Sequence, residues 1–234
     1  MELKLLKKPK GVTIVTGFPS IGLVGTIVNK FLLDKLDTEL IGYLESEELI
    51  PVVAIHKGKA LQPLGIHYNK KYNLVIFQAL SGIVGLEWKI ADRVTQLAKE
   101  LQAKEIINIE SMASQNQSHK TFFHTTSSSR TKDFKKLKIE ELKEGIVLGV
   151  SGALLLKPSS TAVTSLFIET HLNLPDSEAA AEIIKTLDTL LKMNLDYKPL
   201  LETAKKFEAQ LKALMEKQAQ SSTNKEKREL SYLG

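Results

Sequence analysis

The stretch GVTIVTGFPSIGLVGTIVNKFLLDKL, residues 11–36, decides the fold class of this chain. Its first part, Gly11 to Gly17, is β-branched, uninterrupted and bounded by glycine, which predicts a buried strand. Ser20 stands where it can cap a following helix, whose apolar positions continue to Leu36. A buried strand that turns directly into a helix is typical of an α/β sheet.

The same alternation of buried strands and amphipathic helices continues along the chain. The pattern predicts a hairpin turning at 57–59, a helix over 84–103, buried strands over 105–110 and 145–156, and an exposed loop over 111–133 with a short strand at 121–125. We therefore expect an α/β core with helices on the faces of the sheet.

From Ser177 onward the pattern becomes helical and then polar. Two amphipathic stretches on either side of residues 194–196 predict a helical hairpin, and SSTNKEKRE after Gln220 has the composition of a flexible tail. The expected organisation is an α/β core over 1–175, a C-terminal helical hairpin over 176–218 and a tail over 219–234 that ends in an apolar tip.

The composition restricts the function classes. Apolar residues make up 43% of the 234 residues, which is typical of a globular protein, and the chain contains no cysteine. No apolar run approaches the roughly 20 residues needed to cross a bilayer, and the charged N-terminus does not read as a signal peptide. We expect a cytoplasmic protein with no membrane partner. The net charge of +5 is spread among acids without interleaved aromatics, which argues against nucleic-acid binding.

The glycine loop has two interpretations. Gly17, Gly22 and Gly25 form G-x4-G-x2-G, but Leu23 stands where a P-loop needs lysine, and the proline after Phe18 replaces the second glycine of a dinucleotide loop. The first interpretation is structural, since glycine permits a tight turn and close packing of helix on sheet. The alternative is a ligand loop made of Gly17, Ser20, Gly22 and Gly25, with an anion at the helix N-terminus.

No other residue pattern specifies a reaction or a metal. His119 and His124 are five residues apart and lack the spacing and partners of a ligand set. Ser81 and Ser151 each follow an apolar run without the G-x-S-x-G elbow, and Glu110 has no acidic partner at a diagnostic spacing. The sequence predicts no metal, no cofactor and no catalytic set.

Several segments in order resemble the proteasome assembly chaperone family in its archaeal form. They are GFPSIGLVGTIVNKFLLDKL, QALSGIVGLEWKIADRVTQLAKEL, EIINIES and GIVLGVSGALLL, followed by C-terminal helices and a short tail. The resemblance covers almost the whole chain. It implies a Rossmann-like core related in architecture to purine nucleoside phosphorylases, homo-oligomerisation, no known catalytic role, and binding to the α-ring of the proteasome core particle.

The resemblance also implies how the α subunits are bound. In the family, a C-terminal hydrophobic–tyrosine–any tripeptide inserts into pockets between α subunits. The last three residues here are Tyr232, Leu233 and Gly234, so that a hydrophobic residue is present but leucine stands where the family has tyrosine. These three residues are the expected partner-binding site.

Three functions therefore stay open at this point. The first is a non-catalytic chaperone or activator that docks its tail on the α-ring. The second is an enzyme or nucleotide-binding protein that uses the Gly17–Gly25 loop, and the third is a scaffold for an unrelated partner.

Overall fold

A computed structural model describes residues 1–49, 53–56, 58–80, 83–114, 118–170 and 175–197. Eleven strands lie in these ranges: β1 Glu2–Leu5, β2 Thr13–Gly17, β3 Glu39–Glu45, β4 Ala54–His56, β5 Lys59–Leu61, β6 Leu64–Asn69, β7 Leu74–Ala79, β8 Glu105–Ala113, β9 Thr121–Thr125, β10 Glu140–Glu141 and β11 Ala162–Thr170. The helices of the same ranges are α1 Val24–Lys35, α2 Glu87–Glu100, α3 Ser128–Lys136, α4 Gly149–Leu156 and α5 Ser177–Leu191, with a single 3-10 turn at Ile21–Leu23 before α1.

Nine of these strands form one mixed sheet in the order β1-β3-β6-β7-β2-β8-β11-β9-β10, and β4 and β5 form a separate hairpin. The central strands β7, β2, β8 and β11 are parallel, whereas β6, β3 and β1 on one side and β9 on the other add antiparallel pairs. The central strands are apolar on both faces, as is usual for parallel strands that helices cover on both sides. The predicted α/β architecture is confirmed.

Two apolar cores lie on opposite faces of the sheet. Val12, Ile14 and Phe77 face one core with α2 and α4, and Val15 and Ile107 face the other with α1 and α5. Because successive side chains of a strand point to opposite faces, each central strand contributes to both cores. Because β7, β2, β8 and β11 run in the same direction, their carboxyl ends meet at one edge of the sheet, which we call the carboxyl edge.

The prediction of a strand over residues 145–156 is wrong. The segment runs without strand structure to Leu148 and then forms α4, which buries Val150, Ala153 and Leu154. These three positions have the spacing of one helical face. An apolar run of this length fits a buried strand and a buried helix equally well, so its periodicity alone does not separate the two.

Other predicted elements hold with shifted ends. The hairpin around Gly58 and the strand at 121–125 are confirmed, and the predicted exposed loop before Asp133 also contains α3.

The first helix of the predicted C-terminal hairpin is α5, which packs into the core against α1 through Ala180, Ile183 and Leu187. The second helix and the tail lie outside the described residues.

Candidate functional site

The carboxyl edge places the glycine loop directly after β2. Gly17 is the last residue of β2, where it pairs with Gln78 of β7 and Ile109 of β8. In open α/β sheets, ligands bind beside the carboxyl ends of the parallel strands. A ligand of the glycine loop would therefore bind at this edge, and the contacts of the loop at the same edge distinguish the structural interpretation from the ligand interpretation.

Gly17 and Gly25 bring the backbones of β2 and α1 into contact. A Cβ atom on Gly17 would lie 2.6 Å from the Gly25 Cα, and a Cβ on Gly25 would lie 2.8 Å from the Gly17 Cα. Neither distance is possible between real atoms, and both neighbours are backbone. Close packing of helix on strand therefore accounts for these two glycines.

Gly22 has two structural requirements of its own. Its φ is +66°, a left-handed conformation that favours glycine, and a Cβ would lie 2.3 Å from the Thr170 Oγ1. Its carbonyl accepts a 2.8 Å hydrogen bond from the backbone N–H of Asp176. The loop is therefore joined to the start of α5.

Ser20 does not cap a helix, so this prediction is wrong. The Ser20 side chain makes no capping hydrogen bond, because a 3-10 turn follows it and Leu23, at φ +50°, separates that turn from α1. Its buried hydroxyl makes no hydrogen bond of good geometry, although it lies close enough to the Glu110 carboxyl to oppose the rise that burial causes in the pKa of that group.

Four polar side chains form a hydrogen-bonded line across the carboxyl edge. Thr16 Oγ1 donates to Asn108 Oδ1 at 2.9 Å, and Asn108 Nδ2 donates to Ser151 Oγ at 2.8 Å. Ser151 Oγ donates to Glu110 Oε2, and the Ser111 backbone N–H donates to Glu110 Oε1 at 3.0 Å. The sequence offered Ser151 and Glu110 as unrelated candidates, and the structure brings them together.

The chemistry of this polar line disfavours an anionic ligand. Burial raises the pKa of Glu110, and its hydrogen bonds from Ser151 and Ser111 oppose that rise. Ser151 is fully buried in the first turn of α4. When it is ionised, the Glu110 carboxyl places a negative charge beside Ser20 of the glycine loop, where the alternative interpretation puts an anion.

A second polar group lies where β11 leads to α5. Asp176 caps α5 by accepting from the Ala179 N–H at 2.9 Å, and its other carboxylate oxygen contacts Thr170 Oγ1 at 2.8 Å and His119 Nε2 at 2.9 Å. The pKa of Asp176 is lowered, because these hydrogen bonds and the imidazole outweigh its burial. Because the Asp176 backbone N–H also donates to the Gly22 carbonyl, these contacts anchor the glycine loop at the start of α5.

Several exposed apolar side chains lie on or next to α2, α4 and the β4–β5 hairpin. Val84 is 93% exposed and Ile146 is 90% exposed, and Trp88 is the chain's single tryptophan. These side chains are Val53, Ile55, Val84, Trp88, Ile146, Leu148 and Leu156.

Sequence reasoning missed these exposed apolar side chains, although a signal was present. The buried stripe of α2 contains Ile90, Ala91, Val94 and Leu97, and Trp88 lies two residues before its first member. Two residues correspond to about 200° around a helix, so Trp88 lies far from Ile90, on the flank of the buried stripe, and is half exposed. A large aromatic at that position indicates a contact outside the chain's own core.

The remaining sequence-predicted sites are placed as follows. His124 is exposed on β9, apart from the His119–Asp176 pair. Ser81, Tyr232, Leu233 and Gly234 lie outside the described residues. Over the described ranges, no group of three potential metal ligands occurs. In the same part of the chain, no helix has the length and apolar character of a membrane span.

Comparison with known proteins agrees with this architecture. The family model described as "PAC2 family" matches residues 14–215. A crystal structure of Pyrococcus furiosus PbaA, an archaeal homologue of proteasome-assembly chaperone, superposes with a TM-score of 0.82 at 28% identity, covering 92% of this chain and 97% of that one.

Two further relatives are more distant. The crystal structure of Pyrococcus furiosus PbaB, an archaeal proteasome activator, has a TM-score of 0.73 at 18% identity and covers 92% of this chain and 98% of its own. An uncharacterised protein of Methanocaldococcus jannaschii is 24% identical over 225 residues, covering 94% of this chain and 92% of the relative.

Proposed function

Because the chain belongs to the PAC2 family, we propose that it is a non-catalytic proteasome assembly chaperone or activator. In this proposal it forms homo-oligomers in the cytoplasm and docks its C-terminal tail on the α-ring of the proteasome core particle. The observation that carries the proposal is the likeness to PbaA, which extends over nearly the full length of both chains.

The carboxyl edge supports a structural use of the residues that a catalytic or nucleotide site would need. Packing accounts for all three glycines of the loop. Ser151 bonds both Asn108 and Glu110, and because Ser151 is fully buried its hydroxyl is not presented to a substrate. We therefore place the function in contacts with other proteins.

The tail supplies such a contact. The polar and charged residues before Leu230 have the composition of a flexible stem, and Tyr232, Leu233 and the terminal carboxylate of Gly234 form its tip. A pocket between two α subunits would take the apolar side chains and pair a lysine with the carboxylate. An oligomer would present several tips, and their effective concentration would raise the overall affinity.

The experiment compares the full chain with a chain that ends at Leu230. Both forms are mixed with proteasome α subunits, captured by pull-down and measured by native mass. The proposal expects binding by the full chain, loss of binding by the shortened chain, and an unchanged homo-oligomer. Equal binding by both forms would move the contact to the folded core, and no binding by either form would refute α-ring docking.

A third variant tests whether the residue at position 233 determines how tightly the tip binds. Leu233→Tyr restores the hydrophobic–tyrosine–any tripeptide of the family while leaving Tyr232 and Gly234 in place. We expect it to bind α subunits more tightly than the natural chain. Weaker binding would show that the tip does not use the family's pocket.

One observation favours a second candidate, a small ligand at the Gly17–Gly25 loop. Ser20 Oγ is buried and makes no hydrogen bond of good geometry, beside a carboxyl whose pKa is raised. Unmet polar atoms and perturbed acids are common in ligand sites. Mass spectrometry of small molecules released from the purified, denatured protein tests this candidate, and a stoichiometric nucleotide would support it over the chaperone proposal.

A further inference from the structure

We propose that a cluster of polar side chains, at the point where α1 packs over the end of β7, binds an uncharged NH2 group of a small molecule, such as a primary amide or the amino group of a heterocycle. We call it the amide cluster; its members are Thr26 and Asn29 of α1, His67 of β6 and Gln78 of β7. The cluster lies on the α1 face of the sheet, whereas Ser151 and the polar line lie on the α4 face. It is therefore separate from the polar line and from the tail.

Three oxygen atoms of the amide cluster are buried without a hydrogen-bond partner in the part of the chain that the structure describes. They are Thr26 Oγ1, Asn29 Oδ1 and Gln78 Oε1. Asn29 is 1% exposed and Gln78 is 5% exposed, so bulk water does not reach most of either side chain. Buried polar atoms are nearly always paired in native proteins. Three such oxygens at one place point to a donor from outside the chain.

The backbone places the two amide oxygens side by side. Asn29 Nδ2 donates to the Phe77 carbonyl at 2.9 Å and to the Gly17 carbonyl at 3.2 Å. Gln78 follows Phe77 and pairs in register with Gly17. Its side chain faces α1, because Ile76, two residues earlier on the strand, packs in the core on that face. The two carbonyls also fix the orientation of the Asn29 amide, so its oxygen is an acceptor turned away from them.

His67 and Thr26 complete the amide cluster. Gly65 pairs directly with Gln78, and the His67 Nε2 lies 2.9 Å from the point that a Cβ on Gly65 would occupy. Opposite residues of antiparallel strands have Cβ positions about 4.5–5.5 Å apart, so the imidazole lies beside the Gln78 side chain. Thr26 precedes Asn29 by three residues on α1, and residues at this spacing are neighbours on a helix surface.

The chemistry of the amide cluster selects an uncharged donor. Burial lowers the pKa of His67 to about 4, so its ring is neutral at neutral pH, and the lone pairs of two amide oxygens would repel an anion. A cation would lie near the N-terminal end of α1, where the helix dipole opposes positive charge, and the cluster contains no carboxylate to offset it. An NH2 group offers two donors, one for each of the oxygens of Asn29 and Gln78.

Two matched pairs of small compounds test the inference. Nicotinamide and adenine carry an uncharged NH2 group, whereas nicotinate has a carboxylate in place of the amide and purine has a hydrogen in place of the amino group. Each compound is titrated into the full chain by calorimetry, and the ring resonances of His67 are followed by NMR and assigned with His67→Gln. We expect nicotinamide or adenine to shift these resonances saturably and to bind about tenfold or more tightly than its matched compound.

A variant of the cluster and a matched control complete the test. Gln78→Met removes an unmet buried oxygen at nearly constant side-chain volume, so it should fold at least as well as the natural chain. We expect it to lose about tenfold or more in affinity for the compound that binds. Gln102→Met makes the same exchange at an exposed residue beyond the end of α2 and should bind as the natural chain does.

The outcomes separate this inference from the proposed function. If neither amino compound shifts His67, the inference is overturned and ordered water alone is the donor to the amide cluster. Equal binding within both matched pairs, or unchanged binding by Gln78→Met, also overturns it. The chain ending at Leu230 should bind the compound as the full chain does, so failure of tail docking and failure of this site appear in different measurements.

Discussion

Replacing Ser151 by alanine should destabilise the protein strongly, although it removes a single oxygen atom. Ser151 is fully buried, and its hydroxyl is the middle of the polar line. It accepts from Asn108 Nδ2 at 2.8 Å and donates to Glu110. An alanine would leave the buried amide with an unmet donor and the carboxyl with one donor fewer.

The magnitude follows from those two losses. An unmet buried polar group costs about 1–3 kcal/mol, and a hydrogen bond to a charged group contributes about 1.5–3 kcal/mol. Allowing for partial relaxation, we expect the free energy of unfolding to fall by about 2–4 kcal/mol. In a domain of this size that corresponds to a decrease of roughly 5–15 °C in Tm.

A matched control is available on the neighbouring strand. Ser165 pairs in register with Asn108 and is also fully buried, but its hydroxyl has no hydrogen-bond partner. Ser165→Ala therefore removes an unmet group, and the free energy of unfolding should stay within about 0.5 kcal/mol of the natural value or rise.

Urea denaturation of both variants at one protein concentration gives the comparison directly. If Ser151→Ala is as stable as Ser165→Ala, the polar line does not hold the fold together. A stabilised Ser151→Ala would point further, because residues kept at the expense of stability are typical of functional sites. That result would favour a ligand at the carboxyl edge.

Gly25→Ala should have a Tm well below that of Gly145→Ala in a thermal melt. The new Cβ at position 25 would lie 2.8 Å from the backbone of Gly17, whereas at position 145 the nearest atom is a side-chain carbon at 3.3 Å. Equal Tm values would contradict the close packing of α1 on β2. Burial lowers the pKa of His67 from 6.5 to about 4, so between these pH values the unfolded chain binds a proton that the folded chain does not. The free energy of unfolding should therefore fall by about 3 kcal/mol from pH 6.5 to pH 4. His67→Gln should flatten that part of the pH profile in urea titrations. The raised pKa of Glu110 has the opposite effect on stability, because the carboxyl ionises at lower pH in the unfolded chain than in the folded one. The free energy of unfolding therefore falls as pH rises from 4.5 through the raised pKa. Over that interval the stability of Glu110→Gln should increase relative to that of the natural chain.

Local patterns in the sequence predicted strands β2, β8 and β9 of the sheet, but not its central strand β11. The buried strands at Gly11–Gly17 and 105–110 are apolar and β-branched, and both lie in the centre of the sheet. The same rule failed at 145–156, where the small residues around Ser151 allow a short helix to pack closely. Helix and strand are separated there by contacts with β8 and α2, which local periodicity does not contain.

The candidate site was less accessible to sequence reasoning. Glu110 and Ser151 are 41 residues apart in the chain, and their hydrogen bond depends on the sheet register and on α4 being a helix. Ser20 had the residue type of a cap, but the positive φ of Gly22 and Leu23 redirects the chain before α1 begins. The exposed apolar side chains come from three parts of the chain, and their exposure depends on which faces of α2 and α4 are buried in the tertiary structure.

The measurement that tests the central claim most directly is the dissociation constant of the full chain for the proteasome α-ring, set against that of the chain ending at Leu230. The account predicts saturable binding by the full chain, and a loss of at least about tenfold in affinity, or 1.4 kcal/mol, when the tip is removed while the homo-oligomer persists. Identical dissociation constants for the two forms, or no binding by the full chain, would contradict it.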